Sequence, residues 1–442
     1  MGASGGLLSS PAMADPPEPR GSLSRAGALL RGLAIDVTPL RRSRDFRLLW
    51  AGQLISMTGR MITTVALPFQ VFLLTRSSLA VGLIGLVEVV PLVAFGIAGG
   101  PIADRMDRRR LLLVTETGLV ATSSLLLLGA LSGHPALGYV YGIAGLQAGL
   151  LGVNAPTRSA AVPNLVSREH MPAAMALTQV LYNTSMAVGP AIAGLILARL
   201  GLSWAYGIDV LTYAASITAV LLLRPMPPLR DEGVEETTGW QAIKEGFTYL
   251  RGKRVLVSTF LVDLDAMIFG MPRAVFPVLA LTVFHVGAQG LGWLYAAPAI
   301  GALVGALTAG WVGQARHQGR AVIWAIVLWG AAITGFGLSG RFFLLALAFL
   351  ALAGAADVIS AVFRGTILQL SVPDALRGRL SAINIMVVAG GPRVGDVEAG
   401  AVASLVSPWF AVVSGGVACV VGVALLARTY PELARYHATD RI

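Results

Sequence analysis

Cysteine is almost missing: Cys419 stands alone in 442 residues, so no disulfide can close within the chain and no cysteine metal site can be built. The five histidines are scattered and give no ligand spacing. Charge is scarce as well, at 13% of residues against 55% hydrophobic, whereas soluble domains carry roughly 25% charged and about 45–50% apolar residues. This balance argues against a water-soluble fold. A glycine-rich phosphate loop of the ATPase type is absent, which removes ATP as the expected energy source. A nucleophile constellation, a metal cluster and a soluble signalling domain are absent too, so an enzyme or membrane receptor is the distant alternative and no cofactor or metal is expected.

What the chain has is apolar length. A bilayer-crossing helix needs about 20 mostly apolar residues, and Phe46 to Ala427 divides into roughly twelve such runs, near 46–74, 79–103, 111–132, 136–156, 174–198, 203–223, 255–279, 290–312, 321–338, 342–363, 380–404 and 410–427. The runs lack the alternation of a membrane barrel strand, so the expectation is an all-α membrane protein. Residues 1–41 read as a cytosolic, disordered tail rich in Gly, Pro, Ser and Ala. Residues 42–226 then form one six-helix bundle, 227–254 a central cytoplasmic loop, 255–430 a second six-helix bundle and 431–442 a cytosolic tail. Within the central loop, Ile243, Phe247 and Leu250 fall on one face of a helix suited to lie on the membrane surface.

The net charge of +10 sits in short clusters between the runs, not along one soluble face, so lipid rather than nucleic acid is the expected partner. Arg105, Arg108, Arg109 and Arg110, then Arg158 and Arg168, Arg251 and Lys253, Arg316 and Arg320, and Arg364 and Arg377 mark alternate connections, while the opposite set has little beyond Arg76, Arg199 and Arg341. The bias places both termini in the cytoplasm. The halves also echo each other: Arg158, Val166 and Ala174 precede Arg364, Val372 and Leu380 by 206 residues, which argues for duplication and a binding cavity between the halves near the midplane.

The sharpest local pattern is Gly100-Pro101-Ile102-Ala103-Asp104-Arg105-Met106-Asp107-Arg108-Arg109-Arg110, after the second run. Here the sequence resembles the major facilitator superfamily, whose signature in this loop is a glycine, Asp-Arg and a basic pair. Asp107 stands where the family has a second glycine, and its carboxylate is expected to pair with the neighbouring arginines. The resemblance implies a conformational latch of Gly100, Asp104, Arg105, Arg108 and Arg109, in which the acid faces a helix N-terminus. The matching loop of the second half, Gly310 to Arg316, has Gln314 in place of the acid. Gly189-Pro190 with Gly194 resembles the signature of the superfamily's proton antiporters, with Ser185 where a further glycine is usual, and implies a kinked fifth helix.

Other stretches look like the superfamily's enterobactin-exporter group: Asp45-Phe46-Arg47, Ala66-Leu67-Pro68, Gly292-Trp293-Leu294-Tyr295-Ala296-Ala297-Pro298 and Pro373-Asp374-Ala375-Leu376-Arg377-Gly378-Arg379. That resemblance implies a monomeric inner-membrane transporter that exports a siderophore-like small molecule against protons. Multidrug or macrolide efflux is the alternative.

An ionised side chain at the bilayer centre costs about 2.5–3.5 kcal/mol even on a lenient scale, so it has a partner or a function. Candidates for proton coupling or the substrate cavity are Arg60, Glu88, Asp263, Asp265, Arg273, Asp357, Arg393 and Asp396, with Asp209 and Glu398 also inside the runs. Arg60 and Glu88, at mid-depth in adjacent runs, are expected to pair. Arg393 is expected to pair with Asp396, one turn on. Asp263 and Asp265 point about 200° apart, so at most one faces the cavity. Glu116 reads as structural.

Overall fold

The structure is a computed structural model describing Gly2 and residues 36–227, 239–308, 310 and 315–437. The expected tails, apart from their described edges, therefore lie outside the described residues, as do the acidic stretch of the central loop and Gln314. Twelve long segments follow one another: α1 (Arg44–Thr75), α2 (Ser78–Arg105), α3 (Arg108–Leu131), α4 (Leu137–Leu165), α5 (Met171–Arg199), α6 (Leu202–Leu221), α7 (Arg254–Phe269 and its continuation), α8 (Gly287–Thr308), α9 (Gln318–Leu338), α10 (Phe343–Ser371), α11 (Asp374–Leu405) and α12 (Pro408–Thr429). Ten are long and apolar enough to cross a membrane among the described residues. The other two, α4 and α11, carry polar groups inside the bundle, Asn154 and Arg158 in α4 and Arg393 and Asp396 in α11.

Local chemistry sets the ends. Ser43, Ser77, Asp107 and Ser407 each accept the backbone N–H three residues on, capping α1, α2, α3 and α12. Arg76 closes α1 in the left-handed region at φ 54°, and Gly201 opens α6 at φ 86°, where glycine has no steric penalty. With an even number of crossings, the described chain begins and ends at the same face of the bundle, here the near face.

In the first half α1 packs on α6 and α5, α2 on α4, and α3 on α6 and α4; in the second α9 packs on α10 and α12, α8 on α10, and α7 on α11 and α12. The halves meet along α2 with α11 and α5 with α8. Both seams have small-residue crossings in the far half of these helices. Gly82 and Gly85 lie against the backbone of Asp396 and Arg393, Gly400 against Ser78, and Gly194 against Gly292. Such residues let backbones approach closely in a membrane, where packing drives helix association. Leu79 N–H donates to Ser404 Oγ at 2.9 Å near the far end. The far face is therefore zipped by the glycines. A β-carbon at Gly194 would stand 2.8 Å from the Gly292 Cα and 2.9 Å from two α8 carbonyls. Gly194→Leu is expected to hold this face open, and a cysteine pair flanking the crossing should cross-link efficiently in the parent and at least about tenfold less in the variant.

Two expectations need correction. The seventh run is not one helix: α7 stops at Phe269, and Gly270, Met271 and Pro272 lead into a 3₁₀ turn at Arg273–Val275 and a π turn at Leu279–Val283. Pro272 has no N–H to give, and the freed Gly270 carbonyl accepts from Trp329 Nε1 at 2.8 Å. Among its described side chains, the central helix, Gly239–Leu250, does not present one lipid-facing stripe. Leu250 is buried with Leu256, Val372, Leu380 and Ile383, Phe247 is exposed, and Glu245 pairs with Arg379 of α11 at 2.9 Å. Its amphipathic face docks on protein because Gly246 admits Ile383; the Ile243 side chain lies outside the described residues.

Candidate functional site

Four polar clusters occupy the bundle. The first is the loop motif at the near face. Gly100 and Asp104 lie in the last turns of α2, and their side chains are outside the described residues. Arg108 is buried and donates to Asn164 Oδ1 at 2.6 Å. Arg109 donates to the Val220 and Leu221 carbonyls at 3.2 and 2.6 Å, where a cation meets the negative end of α6. Asp107 does not simply answer the arginines: one oxygen caps α3 through Arg110 N–H and the other accepts Met226 N–H at 3.0 Å. A carboxylate is useful here because its two oxygens answer two backbone donors, one at the start of α3 and one at Met226. Arg105 ends α2 beside them.

The second cluster lies inside the first half. Arg158 pairs with Glu116 and donates to Ser216 Oγ at 2.8 Å and Asn154 Oδ1 at 3.1 Å. Arg60 does not pair with Glu88. It lines, with Glu116, Asn154, Arg158, Tyr182 and Tyr213, a cavity of about 170 Å³. The turn of α1 that carries Arg60 faces α6, where Asp209 is fully buried and accepts from Thr63 and Ser123 hydroxyls at 2.8 and 2.7 Å.

The third lies in the second half. Asp263 pairs with Arg364 at 2.7 Å, and Arg364 donates to Ser360 Oγ at 2.8 Å, with Asp357 nearby on the same helix. Asp265 points elsewhere, against Gly422 of α12, as its 200° offset from Asp263 requires. Arg158 and Arg364 were assigned to connections, yet both sit in the bodies of α4 and α10. Each takes a polar acceptor four residues before it, Asn154 and Ser360, which are themselves 206 residues apart. That spacing was the available signal, but a positive charge next to a run end reads first as loop charge. The acids differ, coming from α3 in one half and α7 in the other.

The fourth cluster crosses between the halves at the closed end. Arg393 of α11 pairs with Glu88 of α2 at 3.2 Å. Arg273, in the turn that breaks α7, pairs with Asp396 of α11 at 3.6 Å. The expected local pair of Arg393 with Asp396 is therefore replaced by two partners on other helices, and Tyr295 of α8 reaches the Arg273 carbonyl at 3.4 Å. Glu398 lines, with Leu86, Val89 and Arg393, a second cavity of about 260 Å³. Gly189 of α5 packs on Met61 of α1 and Gly194 on α8, while Pro190 lies inside one uninterrupted helix. These glycines thus serve close approach within and between the halves. Ser185 stands 3.5 Å from Thr58 across α1 and α5.

A family model described as transmembrane secretion effector matches residues 35–441. The chain belongs to this family of major facilitator superfamily transporters. Relatives of this transporter include the enterobactin exporter EntS of Citrobacter koseri, 28% identical over 405 residues that cover 91% of this chain and 95% of the relative. The EntS of Escherichia coli O1:K1 is 28% identical over 408 residues, 92% of this chain and 96% of its own length. Among solved structures, the nucleoside transporter NupG matches with a TM-score of 0.67 at 12% identity over 89% of this chain and all of that one. A bacterial homologue of the iron transporter ferroportin in an inward-facing state also gives 0.67, at 12% identity over 89% and 99%. At such identities the structures establish the shared fold alone. The family and fold are those of multi-pass membrane transporters of small molecules, not of enzymes.

Proposed function

We propose that this transporter exports a small molecule across the inner membrane in exchange for protons, with a siderophore of enterobactin type as cargo. The supporting observation is the bond between halves at the closed far end, Glu88 with Arg393 at 3.2 Å. In this reading residues 42–226 and 255–430 are the two moving bodies, a monomer suffices, and both termini face the cytoplasm, as the arginine bias requires. The zipped far face and the cavity left in the first half then describe an inward-facing state.

The chemistry follows from charge. Opening the far face must separate α2 from α11, which strips Glu88 of its arginine. An unpaired carboxylate in a low-dielectric setting is costly, and a proton from outside removes the cost. Closing returns Arg393 to Glu88, and the arginine takes the place of the proton, which leaves toward the cytoplasm. Arg273, in the break of α7, braces Asp396 of α11 beside the same seam. The loop of Gly100, Asp104, Arg105, Arg108 and Arg109 acts as the latch of the opposite state, and Gly189, Pro190 and Gly194 form the flexible part of α5. Asp263, Asp265 and Asp357 serve packing of the second half more than coupling.

Export is tested in proteoliposomes loaded with labelled enterobactin. Efflux is expected to rise at least about tenfold under an imposed pH gradient and to fall to the leak rate when the gradient is collapsed. Unchanged efflux in a collapsed gradient contradicts antiport, and efflux of macrolides without efflux of enterobactin moves the cargo to the drug class.

A further inference from the structure

Three unsatisfied hydrogen-bond donors line one wall of the cavity in the first half. Arg60 Nε, Arg158 Nη1 and Tyr213 OH are each buried and have no hydrogen-bond partner among the described residues, and all three residues line the same cavity of about 170 Å³. Two of the side chains are more than nine-tenths buried, Arg158 at 6% and Tyr213 at 2% exposure. One unsatisfied acceptor, Glu116 Oε2, lines the same cavity, so donors outnumber acceptors three to one; buried polar groups in folded proteins are almost always satisfied, and this surplus of donors marks what the void holds.

The charges set the sign of the occupant. Arg158 is met by Glu116, whereas Arg60 makes no ion pair among the described residues. Asp209 lies within electrostatic reach of Arg60, but its Oδ2 is taken by Thr63 and Ser123 and it does not line the cavity. The wall therefore has one cation more than it has anions. Met57, Leu151, Met175 and Tyr182 supply a flexible and aromatic part of the lining, suited to a flat apolar body, beside polar Gln53, Ser159 and Thr178.

We infer that this cavity is an anion-recognition subsite, in which Arg60, Arg158 and Tyr213 bind the carboxylate or phenolate oxygens of an aromatic acid. The inference rests on the transport reading only in taking the cavity as part of the substrate route. Arginine guanidinium suits the task because its planar fork matches a carboxylate and keeps its charge. A neutral ligand of the same shape would leave the excess positive charge unanswered.

The test uses the full-length protein in lipid nanodiscs and two probes of nearly equal shape, benzoate and benzamide, titrated calorimetrically at fixed salt. Benzoate is expected to bind at least about tenfold more tightly, the difference one charge-assisted pair supplies. Arg60→Gln should bring the ratio close to one, Arg60→Lys should keep part of it, and Tyr213→Phe should lower it about threefold. Equal binding of the two probes by the parent overturns the inference, as does an unchanged ratio in folded Arg60→Gln. Should Arg60→Gln fail to fold, Tyr213→Phe decides alone: a lowered ratio supports the subsite and an unchanged one overturns it. If gradient-driven efflux is absent while the benzoate preference stands, the export reading fails and the subsite does not.

Discussion

Glu88→Gln is expected to abolish the dependence of efflux on the pH gradient while leaving the fold intact. Glutamine keeps the shape of the side chain and its hydrogen bond toward Arg393, 3.2 Å away, but cannot carry the exchanged proton. Efflux of the loaded variant under a gradient should drop at least about tenfold, to the rate seen with the gradient collapsed. Counterflow exchange without a gradient should persist. Exchanging the two charges, Glu88→Arg with Arg393→Glu, restores the attraction that closes the far face, so cross-linking between α2 and α11 should recover in the double variant beyond either single one. Gradient-driven efflux in Glu88→Gln at the parent's rate would remove this pair from the coupling step.

The second large effect is on stability. Asp263→Ala leaves Arg364, only 10% exposed at its side chain, buried beside Asp357 without its close partner. Breaking a buried pair by deleting one member costs about 3–5 kcal/mol, so the thermal midpoint in detergent should fall by several degrees. Adding Arg364→Met replaces the stranded charge with an apolar chain of similar length and should return most of the loss, because a well-packed apolar substitute for an ion pair is often close to neutral. Asp263→Asn should sit between. A midpoint unchanged in Asp263→Ala, together with a loss of gradient-driven efflux, would reassign Asp263 from packing to coupling.

How far these roles were legible in the sequence depended on what each relied upon. The twelve crossings followed from run length, which is a property of a single helix. Charge pairing is a property of two helices, and there the reading failed in an instructive way. Arg60 and Glu88 share a depth, yet Arg60 turns into the first bundle and Glu88 toward α11. Helix azimuth decides this, and runs that are apolar on most sides carry little azimuthal signal. No partner for Arg273 could be read from a continuous seventh run; the break at Gly270–Pro272, where Trp329 holds the Gly270 carbonyl, brings it to Asp396. Arg158 and Arg364 looked like loop charges because α4 and α10 extend to Leu165 and Ser371, well past the apolar part of their runs.

The central claim is that the two halves close one face as they open the other. Spin labels at 79 and 404, where the far face is joined by a 2.9 Å hydrogen bond, and at 167 and 371, at the near ends of α4 and α10, report both faces by pulsed electron resonance. Lowering the pH in nanodiscs, or adding cargo, should lengthen the far distance and shorten the near one in the same fraction of molecules. Distances that both stay fixed, or that change in the same sense, would contradict an alternating transporter.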